Sequence, residues 1–171
     1  MTESFKTTVM VFLRDHQSLA EPLVFALGFA EGIPLLSLFV PSSVLFLAIG
    51  SLQGAIGGGI WWVWLSAAGG AMLGDCVTYL IGRHFKHEAR HIWPFSRYPE
   101  WLIRGRVLLE RWGWLAVLGG KFLGFLRPFV PVAAGVMEMP FPLFLLASAL
   151  SSLAWAGVFL APGWGLGMLV E

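Results

Sequence analysis

Two cationic side chains lie inside a long apolar stretch. Lys121 and Arg127 belong to residues 119–135, which are otherwise apolar, glycine or proline. A charge at bilayer depth costs about 2.5–3.5 kcal/mol on insertion scales, so such residues are candidates for function. Pro128 and Pro131 break a helix beside them, and broken backbone at that depth is tolerated where it is buried in protein or lines a wet cavity. The pattern predicts an anion site in a broken membrane helix.

Two acidic residues in apolar segments are the candidate partners of these cations. One is Glu31, and the other is Asp75, the only charged residue of residues 60–82. Buried charges are paired or become neutral, so we expect both carboxylates to face Lys121 and Arg127 across a polar cavity. Purely structural ion pairing is the alternative, but a cluster of four buried charges is expensive to keep for structure alone.

The chemistry of the cations favours a phosphate-bearing lipid as the ligand. Arginine offers two parallel donors to a phosphate, and lysine adds a point charge. Broken half-helices direct backbone N–H groups to the same place, and apolar surroundings suit a lipid tail. Buried carboxylates take up protons more readily than exposed ones, which allows proton coupling.

The composition is that of a membrane protein. Of the 171 residues, 57% are hydrophobic and 12% charged, with a net charge of +1 and a mean hydropathy of +0.77, whereas soluble domains carry about 25% charged residues. The length suits a single domain, 1–171. Residues 83–111 hold seven of the eleven Lys and Arg residues, so the positive-inside rule places this segment in the cytoplasm. One cysteine, Cys76, allows no internal disulfide.

The apolar segments predict an all-α membrane protein with two similar halves. They are an amphipathic helix at 1–17, a re-entrant hairpin at 31–54, a transmembrane helix at 60–82, a basic cytoplasmic loop with an amphipathic helix at 83–111, a second re-entrant hairpin at 113–139 and a transmembrane helix at 141–161, ended by Pro162 and Gly163. Each hairpin has two apolar runs that are shorter than the about 20 residues of a spanning helix. One kinked transmembrane helix is the alternative for 31–54. The repeated plan suggests the inverted repeats of secondary transporters, with two opposed hairpins.

Three segments of the chain resemble motifs of the DedA family, also known as the SNARE-associated or VTT domain group. The first contains Glu31 and, twelve residues beyond it, the Pro-Ser-Ser that ends at Ser43. The second is similar to G-D-x3-Y-x2-G-R and begins at Gly74. The third begins at Gly120 and is similar to G-R-F-x4-R-x3-P-x3-G. The resemblance covers roughly residues 16–168.

The resemblance implies a multi-pass protein of the bacterial inner membrane. Family members are linked to flipping polyprenyl phosphates such as undecaprenyl phosphate, or phospholipids, and to maintaining the proton-motive force. Two acids of the first hairpin and two arginines of the second are functionally important in the family. Glu31 matches the first acid, and Ser43 stands in place of the second. Lys121 matches the first arginine and Arg127 the second. Lysine keeps the charge but loses the two-donor geometry, and serine removes a protonatable group.

These arguments assign roles to individual residues. The predicted ligands of the lipid phosphate are Lys121, Arg127, Glu31 and Ser43. Proton coupling or charge pairing is assigned to Glu31 and Asp75. Helix breaks and packing are assigned to Pro41, Pro128, Gly74, Tyr79 and Gly135. The expected partners are the lipid phosphate, membrane lipids and protons, with a homo-oligomer as a further expectation and no nucleic acid.

A membrane-bound lipid phosphatase and a structural membrane-homeostasis protein without transport are the alternatives. The segment from Lys121 to Pro128 resembles the first motif of type-2 phosphatidic acid phosphatases, but it is one residue short. That enzyme class also needs histidines in its later motifs, and the histidines here, at positions 16, 84, 87 and 91, lie in none. We therefore expect no enzymatic activity, no cofactor and no metal.

Overall fold

The computed structural model describes residues 20–37, 42–55, 57, 59–85, 97–123, 127 and 129–169. Regular structure in these residues is helical throughout, which confirms the predicted all-α class. The helices are α1 (Ala20–Gly32), α2 (Pro34–Ser37), α3 (Ser42–Ala55), α4 (Ile60–His84), α5 (Pro99–Trp112), α6 (Trp114–Gly120), α7 (Phe129–Val136) and α8 (Phe141–Met168). The predicted helix at 1–17, most of the basic loop, Pro41 and Pro128 lie outside the described residues.

Two helices, α4 and α8, are long and apolar enough to cross a membrane within the described part of the chain. At 1.5 Å per residue, the 25 residues of α4 exceed the roughly 30 Å of a bilayer core. The helix α4 continues two residues beyond the predicted end at 82, and α8 continues to Met168. The prediction that Pro162 and Gly163 end the last helix is wrong. Pro162 is exposed and costs α8 one hydrogen bond, while Gly163 holds the following turn against α3.

Each long helix packs against one short helix from each half of the chain. The helices α1 and α7 lie along α4, whereas α3 and α6 lie along α8, and the two long helices also contact each other. The two helices that flank the first predicted break, α1 and α3, therefore pack mainly on different long helices. The re-entrant course of both hairpins and the inverted orientation of the repeat stay predictions.

Glycines at a four-residue spacing let helix backbones touch. They are Gly28 and Gly32 on α1 against Gly70 and Gly74 on α4, and Gly50 and Gly54 on α3 against Gly163 and Gly167 on α8. A Cβ added to any of these eight would lie within 3.0 Å of the partner's backbone, a separation that real Cβ atoms essentially never show. Gly135 on α7 makes the same kind of contact with the backbone of α4 at Tyr79. Small residues permit such close contact between membrane helices, and here they fix the helix spacing.

Gly163→Ala is expected to destabilise the protein by about 1–3 kcal/mol, because the new methyl group overlaps the backbone of α3. Gly165→Ala is the matched control in the same helix, since a Cβ there meets nothing within 4 Å and alanine favours helix. Thermal unfolding of both variants in one detergent measures the difference. Equal Tm values for the two variants would contradict the close contact.

Candidate functional site

Arg127 lies in the break between α6 and α7, and its side chain is only 7% exposed. Its Nη1 donates a hydrogen bond to Oε1 of Glu31, which makes a buried ion pair. Glu31 belongs to the last turn of α1 and is 6% exposed. The pair therefore joins the first predicted hairpin segment to the second. Each residue provides the countercharge that the other needs in a buried position.

The ion pair leaves one edge of the Arg127 guanidinium without a partner. Among the described residues, Nε and Nη2 of Arg127 and Oε2 of Glu31 are buried and make no hydrogen bond. Nε and Nη2 are adjacent donors that lie in one plane, and we call them the Arg127 fork. This two-donor geometry matches a carboxylate or a phosphate. Buried donors without acceptors cost about 1–3 kcal/mol, and more when charged, and an anion with two available oxygens would satisfy both of them.

An aromatic platform lies under the same guanidinium. The Cζ atom of Arg127 is 3.9 Å from the centroid of the Trp155 ring, which gives a cation–π contact. Trp155 belongs to α8 and is 1% exposed. Phe46 of α3 meets this ring edge-on, with centroids 4.9 Å apart and planes at 88°. The guanidinium thus contacts Glu31 of α1 and Trp155 of α8 directly. Phe46 of α3 acts on it through the Trp155 ring.

The second pair of predicted charges forms a separate and satisfied network. Nζ of Lys121 lies 2.7 Å from Oδ2 of Asp75, and it also donates to the hydroxyl of Ser152. Ser148 Oγ donates to the same Asp75 oxygen at 2.7 Å. All four side chains are buried, and none is among the buried groups that lack a hydrogen bond. The four predicted charges are therefore brought together as two ion pairs, Glu31–Arg127 and Asp75–Lys121.

Sequence reasoning missed the two serines and the platform. Ser148 and Ser152 are one turn apart on a helix that carries no charge, a spacing that places both hydroxyls on one face. That pattern was the available signal, because buried hydroxyls need partners. Trp155 is a position that fits the resemblance to the DedA family, but nothing in the sequence indicated its contact with Arg127. Of the predicted ligands, Ser43 lies in α3, but its side chain is outside the described part of the structure.

Tyr79 and Thr78 tie α4 to its neighbours near the site. The Tyr79 hydroxyl donates to the backbone carbonyl of Met139 and accepts from Arg83 Nη1 at 3.0 Å. Thr78 Oγ1 donates to the carbonyl oxygen of Gly32 at 2.8 Å, immediately after Glu31. These bonds fix the end of α1 that carries the acid, and they also fix the chain that follows α7.

Comparison with known proteins supplies the family. A family model described as the VTT domain matches residues 40–165. The chain belongs to the VTT domain (DedA) family. The predicted resemblance is thereby confirmed. No solved structure matches the chain significantly.

Relatives of this VTT protein are named as membrane proteins. Inner membrane protein YabI of Escherichia coli is 29% identical over 141 residues, which cover 82% of this chain and 55% of YabI. Uncharacterized membrane protein BU139 of Buchnera aphidicola is 26% identical over 149 residues, covering 87% of this chain and 58% of that protein. Inner membrane protein YohD of Escherichia coli is 33% identical over 106 residues, which cover 62% of this chain and 54% of YohD. The chain thus spans little more than half the length of these relatives, and like them it is a membrane protein.

Lys121→Met is expected to destabilise this VTT protein by about 3–5 kcal/mol, because it leaves Asp75 buried without a countercharge. The double variant Asp75→Leu/Lys121→Met removes both charges and is expected to recover most of that loss. Thermal unfolding of the wild type, both single variants and the double variant in one detergent gives the coupling free energy. A double variant as unstable as the sum of the two single variants would contradict a direct pair.

Proposed function

We propose that the protein moves a phosphate-bearing lipid across the bacterial inner membrane, and that it does so without an enzymatic step. The lipid is a polyprenyl phosphate such as undecaprenyl phosphate, or a phospholipid. One observation carries the proposal: the Arg127 fork is buried and has no acceptor among the described residues. Membership of the VTT family and relatives named as inner membrane proteins support the location.

The fork can take a phosphate while the ion pair with Glu31 stays intact. Glu31 balances the charge of Arg127 through Nη1, so the fork stays available while the pair is intact. A phosphate oxygen on each of Nε and Nη2 satisfies both donors in one plane. The lipid tail then remains in apolar surroundings, and the phosphate avoids the cost of crossing the bilayer core unpaired.

Arg127, rather than Lys121, holds the phosphate in this proposal. An ammonium group has three donors, and Lys121 gives two of them to Asp75 and Ser152. The Asp75–Lys121 pair instead joins the end of α6 to α4 and α8. We also propose that Glu31 couples the movement to protons, because its Oε2 makes no hydrogen bond within the described residues.

Arg127→Met is expected to reduce the movement of a fluorescent polyprenyl phosphate by at least about tenfold, since a charge-assisted, two-bond contact is lost. Arg127→Lys is expected to fall between wild type and Arg127→Met, because it keeps the charge and loses the fork. Movement is measured in proteoliposomes made with the purified full chain. Arg106→Met is the control, because Arg106 is exposed on α5 and pairs with Glu110.

Two outcomes of this assay would overturn the proposal. The first is wild-type protein that moves no polyprenyl phosphate and no phospholipid above the protein-free rate. The second is full activity in Arg127→Met. Release of inorganic phosphate from the lipid would instead favour the phosphatase alternative.

A charge swap separates transport from a purely structural role. Glu31→Arg/Arg127→Glu keeps an ion pair between the same two positions, but it moves the guanidinium off the Trp155 ring. The swapped protein is expected to unfold within a few degrees of the wild type, since a partnered charge remains, and to lose lipid movement. Thermal unfolding and the proteoliposome assay measure the two properties. Full transport by the swapped protein would favour the structural role.

A further inference from the structure

We infer that Trp155 is the positioning residue that holds the Arg127 fork in the plane from which a phosphate is bound. This inference rests on the proposed function and adds a residue to its site. Neither the family match nor the names of the relatives assign a role to this tryptophan.

The ion pair with Glu31 alone does not define the plane of the Arg127 guanidinium. Arg127 lies between α6 and α7 and belongs to neither helix, so the orientation of its guanidinium depends on the contacts of the side chain. The ion pair uses one nitrogen, Nη1, and a single bond leaves the guanidinium plane free to rotate about that contact. A second contact that acts on the flat face is therefore required to fix the plane.

Trp155 supplies that contact without using a donor. The Cζ atom of Arg127 lies over its ring, 3.9 Å from the ring centroid. A cation–π contact needs no hydrogen-bond acceptor, so it takes none of the N–H groups as a conventional donor. With Nη1 bound to Glu31, the Nε–Nη2 edge is the side of the guanidinium that the described residues leave without a hydrogen bond.

The tryptophan ring is itself held in place from two sides. Phe46 of α3 packs edge-on against it, and Phe159 lies one turn later on α8 with its centroid 5.4 Å away. Both the ring and Phe46 are fully buried. The orientation of the fork therefore depends on the packing of α3 against α8, and a substitution that removes the aromatic face should weaken phosphate binding through Arg127.

Binding of n-dodecyl phosphate to the full chain in nanodiscs tests the inference. Trp155→Phe keeps an aromatic face, and its Kd is expected to stay within about threefold of the wild type. Trp155→Leu removes the face, and its Kd is expected to rise by at least about tenfold. Trp64→Leu is the matched control. Trp64 packs against the hydrophobic cluster that contains Phe46 and Trp155, and its Nε1 donates to the Leu153 carbonyl at 2.9 Å. Its loss should therefore lower Tm and leave the Kd unchanged.

A double-variant cycle shows whether Trp155 acts through the guanidinium. In the Arg127→Lys background the planar group is gone, so Trp155→Leu is expected to change the Kd by less than about threefold. The same tenfold effect in both backgrounds would overturn the inference and indicate a general packing role. If Trp155→Leu does not fold, Trp155→Met, which also removes the aromatic face, takes its place in the cycle, and an equal effect in both backgrounds again overturns the inference.

The assay also separates this inference from the proposed function. Wild-type protein that does not bind n-dodecyl phosphate would overturn the proposed function itself. Wild-type binding that is lost in Arg127→Met but kept in Trp155→Leu would overturn only the role of Trp155.

Discussion

A positive charge in an apolar interior persists only with a partner, and Arg127 imposes this constraint on the rest of the structure. Its partner, Glu31, comes from α1, so the end of α1 must reach the break between α6 and α7. Thr78 holds that end of α1 through the Gly32 carbonyl. The glycine contacts then bring α1 and α4 close enough for these bonds to form. The local arrangement of helices thus follows from bringing two charges together.

The two ion pairs satisfy burial in different ways. Asp75 and Lys121 share hydrogen bonds with Ser148 and Ser152, so their charges are surrounded by partners. The Arg127 pair leaves two donors and one acceptor unused among the described residues. A network whose polar groups are all hydrogen-bonded stabilises one arrangement of helices. A network with unpaired polar groups is stabilised further when a ligand supplies the missing hydrogen bonds. The two pairs therefore differ in how completely their hydrogen-bonding groups are satisfied, and this difference is the basis for proposing that Arg127, and not Lys121, binds the ligand.

The charged members of the site could be predicted from the sequence because charges in apolar segments are costly and therefore few. The partner of each charge could not, since Glu31 and Asp75 were equally plausible for Lys121 and Arg127 until the helices were placed. Helix class and the two long helices followed from apolar length. The C-terminal end of α8 could not be predicted in this way. Pro162 is a strong local signal for the end of a helix, but the packing of Gly163 against α3 outweighs it. Tertiary contacts decided each of these points, and no local pattern encodes them.

The helix α3 of the first half packs mainly on α8 of the second half, and this arrangement affects the order in which the helices can assemble. The helix α1 meets its partner α4 soon after synthesis, but α3 must wait for α8, the last helix of the described chain. With 14 residues, α3 is about 21 Å long and shorter than the bilayer core of about 30 Å. The close glycine contacts that α3 makes with Gly163 and Gly167 of α8 can therefore form only after nearly the whole described chain has been synthesised.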